Sequence, residues 1–313
     1  NAQVSARLRL DALTALASEI LSHRDHFNGS FAADRAGALR DILRVGTSAG
    51  GARAKAVIAW NEATGEVRSG QVQAGEGFGY WLLKFDGVSG NRDRELADPA
   101  GYGAVEFAYA LMAQAAGIEM SECRLMEEGG RRHFITRRFD RLPNGDKLHM
   151  QSLAALAHLD FNDPRANAYE QAFLTIRQLG LGPEALEAQF RRMAFNIVAR
   201  NQDDHVKNIA FLMDRRGAWR LAPAFDLTWS FNPQGAWTAQ HQMSMNGRRD
   251  GFGIEDFRTC ARTAGLKRGR AEAILGEVIE AVRRWPDFAE RARVEPRWRG
   301  TIQDTLRLDL PAA

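Results

Sequence analysis

The sequence predicts an α+β protein of two lobes, a small β-rich N-terminal lobe followed by a mostly helical C-terminal one. Three observations predict it. Between residues 46 and 140, apolar runs of strand length are interrupted by one helical pattern. Beyond Arg141, apolar residues recur mainly at helical spacing. The 313 residues are also enough for two sizeable cores. The expected division is a helical segment over 1–45, a first lobe over 46–140 and a second over 141–313.

Taken in order, Leu10, Leu13, Leu16, Ala17, Ile20 and Leu21 fall at helical spacing and predict an amphipathic helix over 10–21. A second helix is expected over 33–43, stopped at Gly46. Residues 56–60 (AVIAW) and 80–85 (YWLLKF) predict strands, with a turn over 61–65 after the first. A helix rich in Ala, Phe and Leu over 103–116 is closed by Gly117. Strands over 123–126 and 133–138 flank a turn at Gly129-Gly130. Residues 149–200 and 254–285 are expected to be mostly helical, with one hairpin turning at 214–217 between them.

Composition narrows the function classes. Hydrophobic residues make up 45% and charged residues 26%, as in a globular protein in water. Lys+Arg (42) and Asp+Glu (39) nearly balance, so the net charge of +3 gives no case for nucleic-acid binding. Pairs such as Arg248-Arg249 are read as solvated faces. Cys123 and Cys260 lack metal-ligand spacing, which argues against a disulfide framework or zinc site and for a reducing cytosol. No apolar run reaches membrane-spanning length, and no secretory signal pattern opens the chain. The chain begins at Asn1 rather than Met, which leaves room for a preceding segment.

The most informative segment is Asn201-Gln202-Asp203-Asp204-His205-Val206-Lys207-Asn208, followed by Ala224-Phe225-Asp226. An Asp and an Asn five residues apart, with a second Asp beyond the next hairpin, suit phosphoryl transfer. One carboxylate orients the attacking hydroxyl, while an Asn and another carboxylate hold Mg²⁺ against ATP phosphates. Strands expected over 209–213 and 218–221 would return Asp226 beside the loop, and Lys207 could offset charge on the γ-phosphoryl group. The bland alternative, Asp203 and Asp204 capping a turn and Asp226 a helix, does not account for the joint spacing.

A matching nucleotide-binding half is also legible. The loop Thr47-Ser48-Ala49-Gly50-Gly51-Ala52-Arg53-Ala54-Lys55 can present backbone N–H groups to phosphate oxygens. It is not a Walker A loop, since no Ser or Thr follows Lys55, and alone it reads first as an ordinary connection. Lys84 is the only charge in its apolar strand, and Glu106 sits in the apolar helix that follows. Each needs a partner if buried. A strand Lys paired with a helix Glu is what protein kinases use, and an edge-strand Lys reaching water fits equally well. Phe139 follows a strand at the lobe junction, as an adenine-binding hinge or as a packed aromatic. Together these give the two-lobed chain a nucleotide-binding half to set beside the phosphoryl-transfer loop. Trp219, Trp229 and Trp237 are read as packed aromatics, and His149, His158 and His241 share no metal-ligand spacing.

With these motifs in order, the chain closely resembles the HipA-type toxin kinases of bacterial toxin–antitoxin systems. The matching stretches are residues 46–55, 81–86, 136–141, 201–208 and 221–226. The resemblance runs from about Gly46 to the C-terminal helices and is weak over the first 45 residues. It implies a bilobal, protein-kinase-like fold and a serine/threonine kinase using ATP and Mg²⁺ between the two lobes, in keeping with the cytoplasmic location expected from the cysteines. Asp203 would be the catalytic base, and Asn208 and Asp226 the Mg²⁺ ligands. ATP would contact Gly50, Gly51, Ala52, Arg53, Ala54, Lys55 and Lys84, the hinge Arg137, Arg138 and Phe139, then His205, Val206, Lys207, Asn208, Phe225 and Asp226. Some relatives carry an acidic residue in place of Arg137. Ser48 matches a serine that relatives autophosphorylate in trans to switch themselves off, with Thr47 adjacent. Substrates of similar kinases are aminoacyl-tRNA synthetases, and a helix-turn-helix antitoxin carries the contact with DNA. Two other functions stay open: a small-molecule kinase on the same fold, and a nucleotide-holding co-repressor without catalysis.

Overall fold

The computed structural model describes residues 7–11, 13–15, 17, 54–71, 73–87 and 100–310. The helix expected over 33–43 and the loop from Gly46 to Arg53, Ser48 included, lie outside them. The chain divides into two compact units, Asn1–Phe107 with Glu122–Lys147, and Ala108–Ser121 with Leu148–Ala313.

In the first unit six antiparallel strands form one sheet: β1 (Arg7–Leu8), β2 (Lys55–Trp60), β3 (Val67–Ser69), β4 (Gly79–Lys84), β5 (Cys123–Glu128) and β6 (Arg131–Arg137), ordered β1-β3-β2-β4-β6-β5. The β2 and β4 runs are buried along most of their length, as expected of central strands with both faces covered. Ile58, Trp81, Leu83, Phe85 and Ile135 form its core, and Leu13 and Ala17 from the N-terminal helical residues pack into it. Strand β3, three residues carrying Arg68, has no counterpart in the sequence reading, which assigns nothing between the turn over 61–65 and the strand from 80. Too short for a period, it is held by pairing with β2 on one side and β1 on the other.

Helix α1 (Tyr102–Ala115) begins in the first unit. The Asp86 carboxylate accepts the backbone N–H of Gly101 (3.0 Å) and Gly103 (3.2 Å), charge-assisted bonds at a helix N-terminus. His133 Nδ1 in turn accepts the Asp86 N–H at 2.9 Å. Gly103 is required where it stands, because a Cβ there would lie 2.3 Å from the Arg132 carbonyl oxygen. Gly117, in the left-handed region at φ +77°, ends the helix.

The second unit is mostly helical: α2 (Leu153–Leu156), α3 (Tyr169–Gln178), α4 (Pro183–Val198), α5 (Ile254–Ala264), α6 (Arg270–Arg283), α7 (Trp285–Arg291) and α8 (Pro296–Gln303). Its core contains Phe173, Phe190 and Phe257, in ring contact through Phe190. Trp285 and Phe195 both pack against Tyr109, which α1 contributes. Two expectations need correction. Residues 149–152 are not helical but form strand β7 (His149–Ser152), and the single hairpin is part of a three-stranded sheet. Strand β7 pairs with β8 (Ala210–Met213), and β8 with β9 (Trp219–Leu221). His149-Met150-Gln151-Ser152 has no alternating apolar pattern, so tertiary pairing rather than local preference makes it a strand.

Candidate active site

In the second unit, buried α4 leads into the loop that carries Asp203. The Ala199 N–H still donates to Phe195 O at 2.8 Å, and Arg200 then turns the chain at φ +56°. The turn is clamped by backbone bonds from Asn201 N to Asn196 O (2.9 Å), Gln202 N to Ser230 O (3.0 Å) and Ser230 N to Arg200 O (3.0 Å). Asn208 Nδ2 donates to the Asp203 carbonyl at 3.0 Å, closing the five-residue spacing into one compact loop. That bond leaves the Asn208 side-chain oxygen as the atom it can offer a cation.

The Asp203 side chain accepts a 2.7 Å bond from Trp237 Nε1, and His205 Nε2 lies 3.9 Å from the same oxygen. Burial pushes the Asp203 carboxyl above the usual carboxylate range, and the charges of Asp226 and Asp204 push it the same way. His205 and the Trp237 bond oppose this without cancelling it. The structure therefore brings Asp203, Asn208 and Asp226 into one neighbourhood of one unit. Asp226 itself adopts φ +58°, rare for a residue with a side chain and typical of positions held for function. Phe225 before it is half-buried.

Val206 is fully buried. Lys207 Nζ lies 3.1 Å from the centre of the Phe161 ring, a cation–π contact, and partial burial lowers its pKa. His205 is buried and meets the same ring edge-on at 5.8 Å.

Sequence reasoning missed what holds the loop. Asp204, next to the candidate base, is fully buried, and its carboxylate takes three bonds: from Tyr169 Oη at 2.5 Å, from Gln242 N at 2.7 Å and with His241 Nδ1 at 2.8 Å. Burial raises its pKa, but these partners outweigh that and the net direction is down, so Asp204 remains ionised. His241 Nε2 also meets Arg307 Nη1 at 2.8 Å. His241 was thus set aside for want of metal-ligand spacing, and Trp237 as packing, yet each bonds a loop carboxylate. No local signal marks either, since His241 stands between Gln240 and Gln242 and Trp237 beside Thr238 in a polar stretch.

In the first unit, Lys84 Nζ lies 2.5 Å from Glu106 Oε1, with side chains only 7% and 2% exposed. The Asp86 cap on α1 positions Glu106 for this contact. Lys55 stands directly opposite Lys84 across β2 and β4, also buried, so two cations share one face of the sheet. At the end of β6, the Arg137 and Arg138 N–H groups are committed to Glu122 O and Tyr80 O, both at 2.8 Å. The Arg138 guanidinium grips Asp140 through two bonds, and Arg141 adds a third. A base contact along Arg137–Phe139 would thus fall to carbonyls, to Phe139 or to side chains. Ala54 is buried, while Gly50, Gly51, Ala52 and Arg53 lie outside the described residues.

Among the described residues no three His, Cys, Asp or Glu cluster to hold a metal unaided. Asn208 and Asp226 instead offer two hard oxygen donors, which suits Mg²⁺ when phosphates and water complete its shell. Among these residues, too, no helix is long and apolar enough to cross a membrane.

A family model for the HipA-like C-terminal domain matches residues 47–285, more than half of the sequence. The chain belongs to that family. No curated protein sequence matches it. Among solved structures it is similar to the HipA of Shewanella oneidensis MR-1, determined with HipB and its operator DNA. The TM-score is 0.66 at 13% identity, over 96% of this chain and 70% of that one. The proinflammatory kinase CtkA of Helicobacter pylori gives a TM-score of 0.43 at 12% identity, over 69% of this chain and 91% of that one. The likeness to the Shewanella HipA is one of fold. The HipA-like chain thus has the α+β, kinase-like fold of its family.

Proposed function

We propose that this HipA-like chain is an ATP-dependent protein serine/threonine kinase acting as the toxin of a toxin–antitoxin module. One observation carries the reading: Asn208 bonds the Asp203 carbonyl on one compact loop, and burial first, with the charges of Asp226 and Asp204 adding to it, holds the Asp203 carboxyl above its usual range. Two nearby carboxylates and an amide oxygen form a destabilised arrangement that a divalent cation relieves.

In this reading Asp203 accepts the proton of the substrate hydroxyl, and Asn208 and Asp226 hold Mg²⁺, which neutralises charge on the phosphates. Lys84, oriented by Glu106, and Lys55 opposite it bind the phosphates. Like charges facing each other across a ladder repel, and a polyanion between them offsets that repulsion. Residues 50–55 form the phosphate loop, Arg137–Phe139 the hinge, and Ser48 the autophosphorylated off-switch. By likeness to HipA, solved with HipB and operator DNA, a helix-turn-helix antitoxin is the proposed partner and carries the DNA contact. The substrate class proposed is a translation component such as an aminoacyl-tRNA synthetase.

The test is incubation with radiolabelled ATP and Mg²⁺. Wild-type protein is expected to become labelled on Ser48 and Asp203→Ala to stay unlabelled. Labelling of the Asp203 variant at the wild-type rate rules out its role as base. Loss of such a group removes several kcal/mol of transition-state stabilisation, so the rate should fall by orders of magnitude. A phosphoproteome comparison of cells expressing the two proteins would name the substrate.

A further inference from the structure

Against the Asp203 loop lies a small cavity of about 20 Å³, bordered on one side by Asn208 and Phe225 of the candidate nucleotide site. Helix α4 lines it with Gln189, Arg192 and Asn196, and the loop with Asn201 and His205. Several buried polar atoms of these residues have no hydrogen-bond partner among the described residues: both amide atoms of Gln189, Arg192 Nε, Asn201 Oδ1 and His205 Nδ1. Buried polar groups are almost always matched, so the gathering of these around one cavity points to a bound molecule.

The direction of the neighbouring bonds says what kind of molecule. Ionised Asp204 can only accept, so Tyr169 Oη donates to it, and burial beside Asp204 keeps that phenol protonated. The Tyr169 oxygen therefore accepts from Asn196 Nδ2 at 3.0 Å. This turns Asn196 Oδ1 toward Asn201 Nδ2, 2.9 Å away, and leaves Asn201 Oδ1 as a buried acceptor at the end of the chain. The carboxylate thus sets the orientation of two amides beyond it. An anion cannot satisfy Asn201 Oδ1. A cation is opposed by Arg192, whose Nη2 donates to Ala222 O and whose pKa burial lowers only to about 10. The molecule must accept from Arg192 Nε and donate to Asn201 Oδ1, and a cavity of this size has room for one water.

We propose that one structural water is bound here, bridging Arg192 Nε and Asn201 Oδ1 and so tying helix α4 to the loop that carries Asp203. The site does not depend on the reaction assigned to that loop. Its occupant is held by the amide orientations that Asp204 imposes.

Crystals of the full chain, measured at high resolution before and after a bromide soak, test this directly. The expected result is a discrete solvent peak within hydrogen-bonding distance of Arg192 Nε and Asn201 Oδ1, with no bromide anomalous signal there. A cavity without density, or one holding bromide, overturns the proposal. In solution, oxygen-17 relaxation dispersion counts long-lived internal waters. Gln189→Met, which fills the cavity with a flexible apolar side chain, should lose one long-lived water relative to wild type. An unchanged count in the folded variant also overturns it, and the wild-type crystals decide the matter if the variant does not fold.

Discussion

Lys84→Met removes an ammonium lying 2.5 Å from the Glu106 carboxylate in a place where neither side chain is more than 7% exposed. Removing one partner from a buried pair costs about 3–5 kcal/mol, because the other charge stays desolvated. The register adjusts that figure. Lys84 faces Lys55, so its removal also relieves a repulsion, and Lys84→Met should fall at the low end, near 3 kcal/mol. Glu106→Gln leaves the two lysines facing each other without that carboxylate and should fall at the high end, near 5 kcal/mol. At about 2–4 °C per kcal/mol, the first corresponds to roughly 6–12 °C in Tm. The double variant Lys84→Met/Glu106→Leu removes both charges and should recover most of the loss. Chemical denaturation, with hydrogen exchange read on peptides covering β2 and β4, measures all three. Additive single effects in the double variant would show that the pair is not coupled. Equal losses in the two single variants would refute the argument from Lys55.

Trp237→Phe deletes the 2.7 Å donor to Asp203, at about 1.5–3 kcal/mol for a bond to a charged group. The carboxyl pKa should rise further and carry the acid limb of the pH–rate profile upward; an unmoved limb contradicts this. Asp203→Asn should abolish phosphoryl transfer yet raise Tm at neutral pH. The folded pKa of Asp203 is raised, so its ionised form opposes folding, and wild type should gain stability as pH falls through that pKa while the variant does not. A lower Tm for the variant at pH 7 refutes the sign. Asp204→Ala strands Tyr169, His241 and Gln242 N and should cost about 3–5 kcal/mol, measured by urea unfolding. Its folded pKa is depressed, so its contribution is present above the ordinary Asp value and lost as pH falls through the lower folded one. The acid unfolding of the Ala variant should lack that step.

Much of the first sheet and most of the candidate chemistry could be read from local pattern. The 56–60 and 80–85 runs are strand-length, apolar and bounded by turns, and they appear within a residue as β2 and β4. The Asp203-to-Asn208 spacing was visible because both residues lie on one short loop. Strand β7 was not, because its four residues carry no period and become a strand by pairing with β8. Asp86 was visible only as part of a motif. Its role as the cap that aims α1 depends on Gly101 and Gly103, which lie beyond an intervening segment.

By itself the sequence determined the fold class, the family and the identity of the groups suited to phosphoryl transfer, since these rest on residue types, short spacings and periodicity. Only the tertiary structure decided which charges meet. It set Lys55 against Lys84, seated Glu106 on Lys84, and surrounded Asp204 with Tyr169, His241 and Gln242. It also left the polar atoms of Gln189, Arg192 and Asn201 around one small cavity. The reason is physical: pKa shifts, buried ion pairs and hydrogen-bond direction depend on distance and burial between residues far apart in the chain, and no local pattern encodes those.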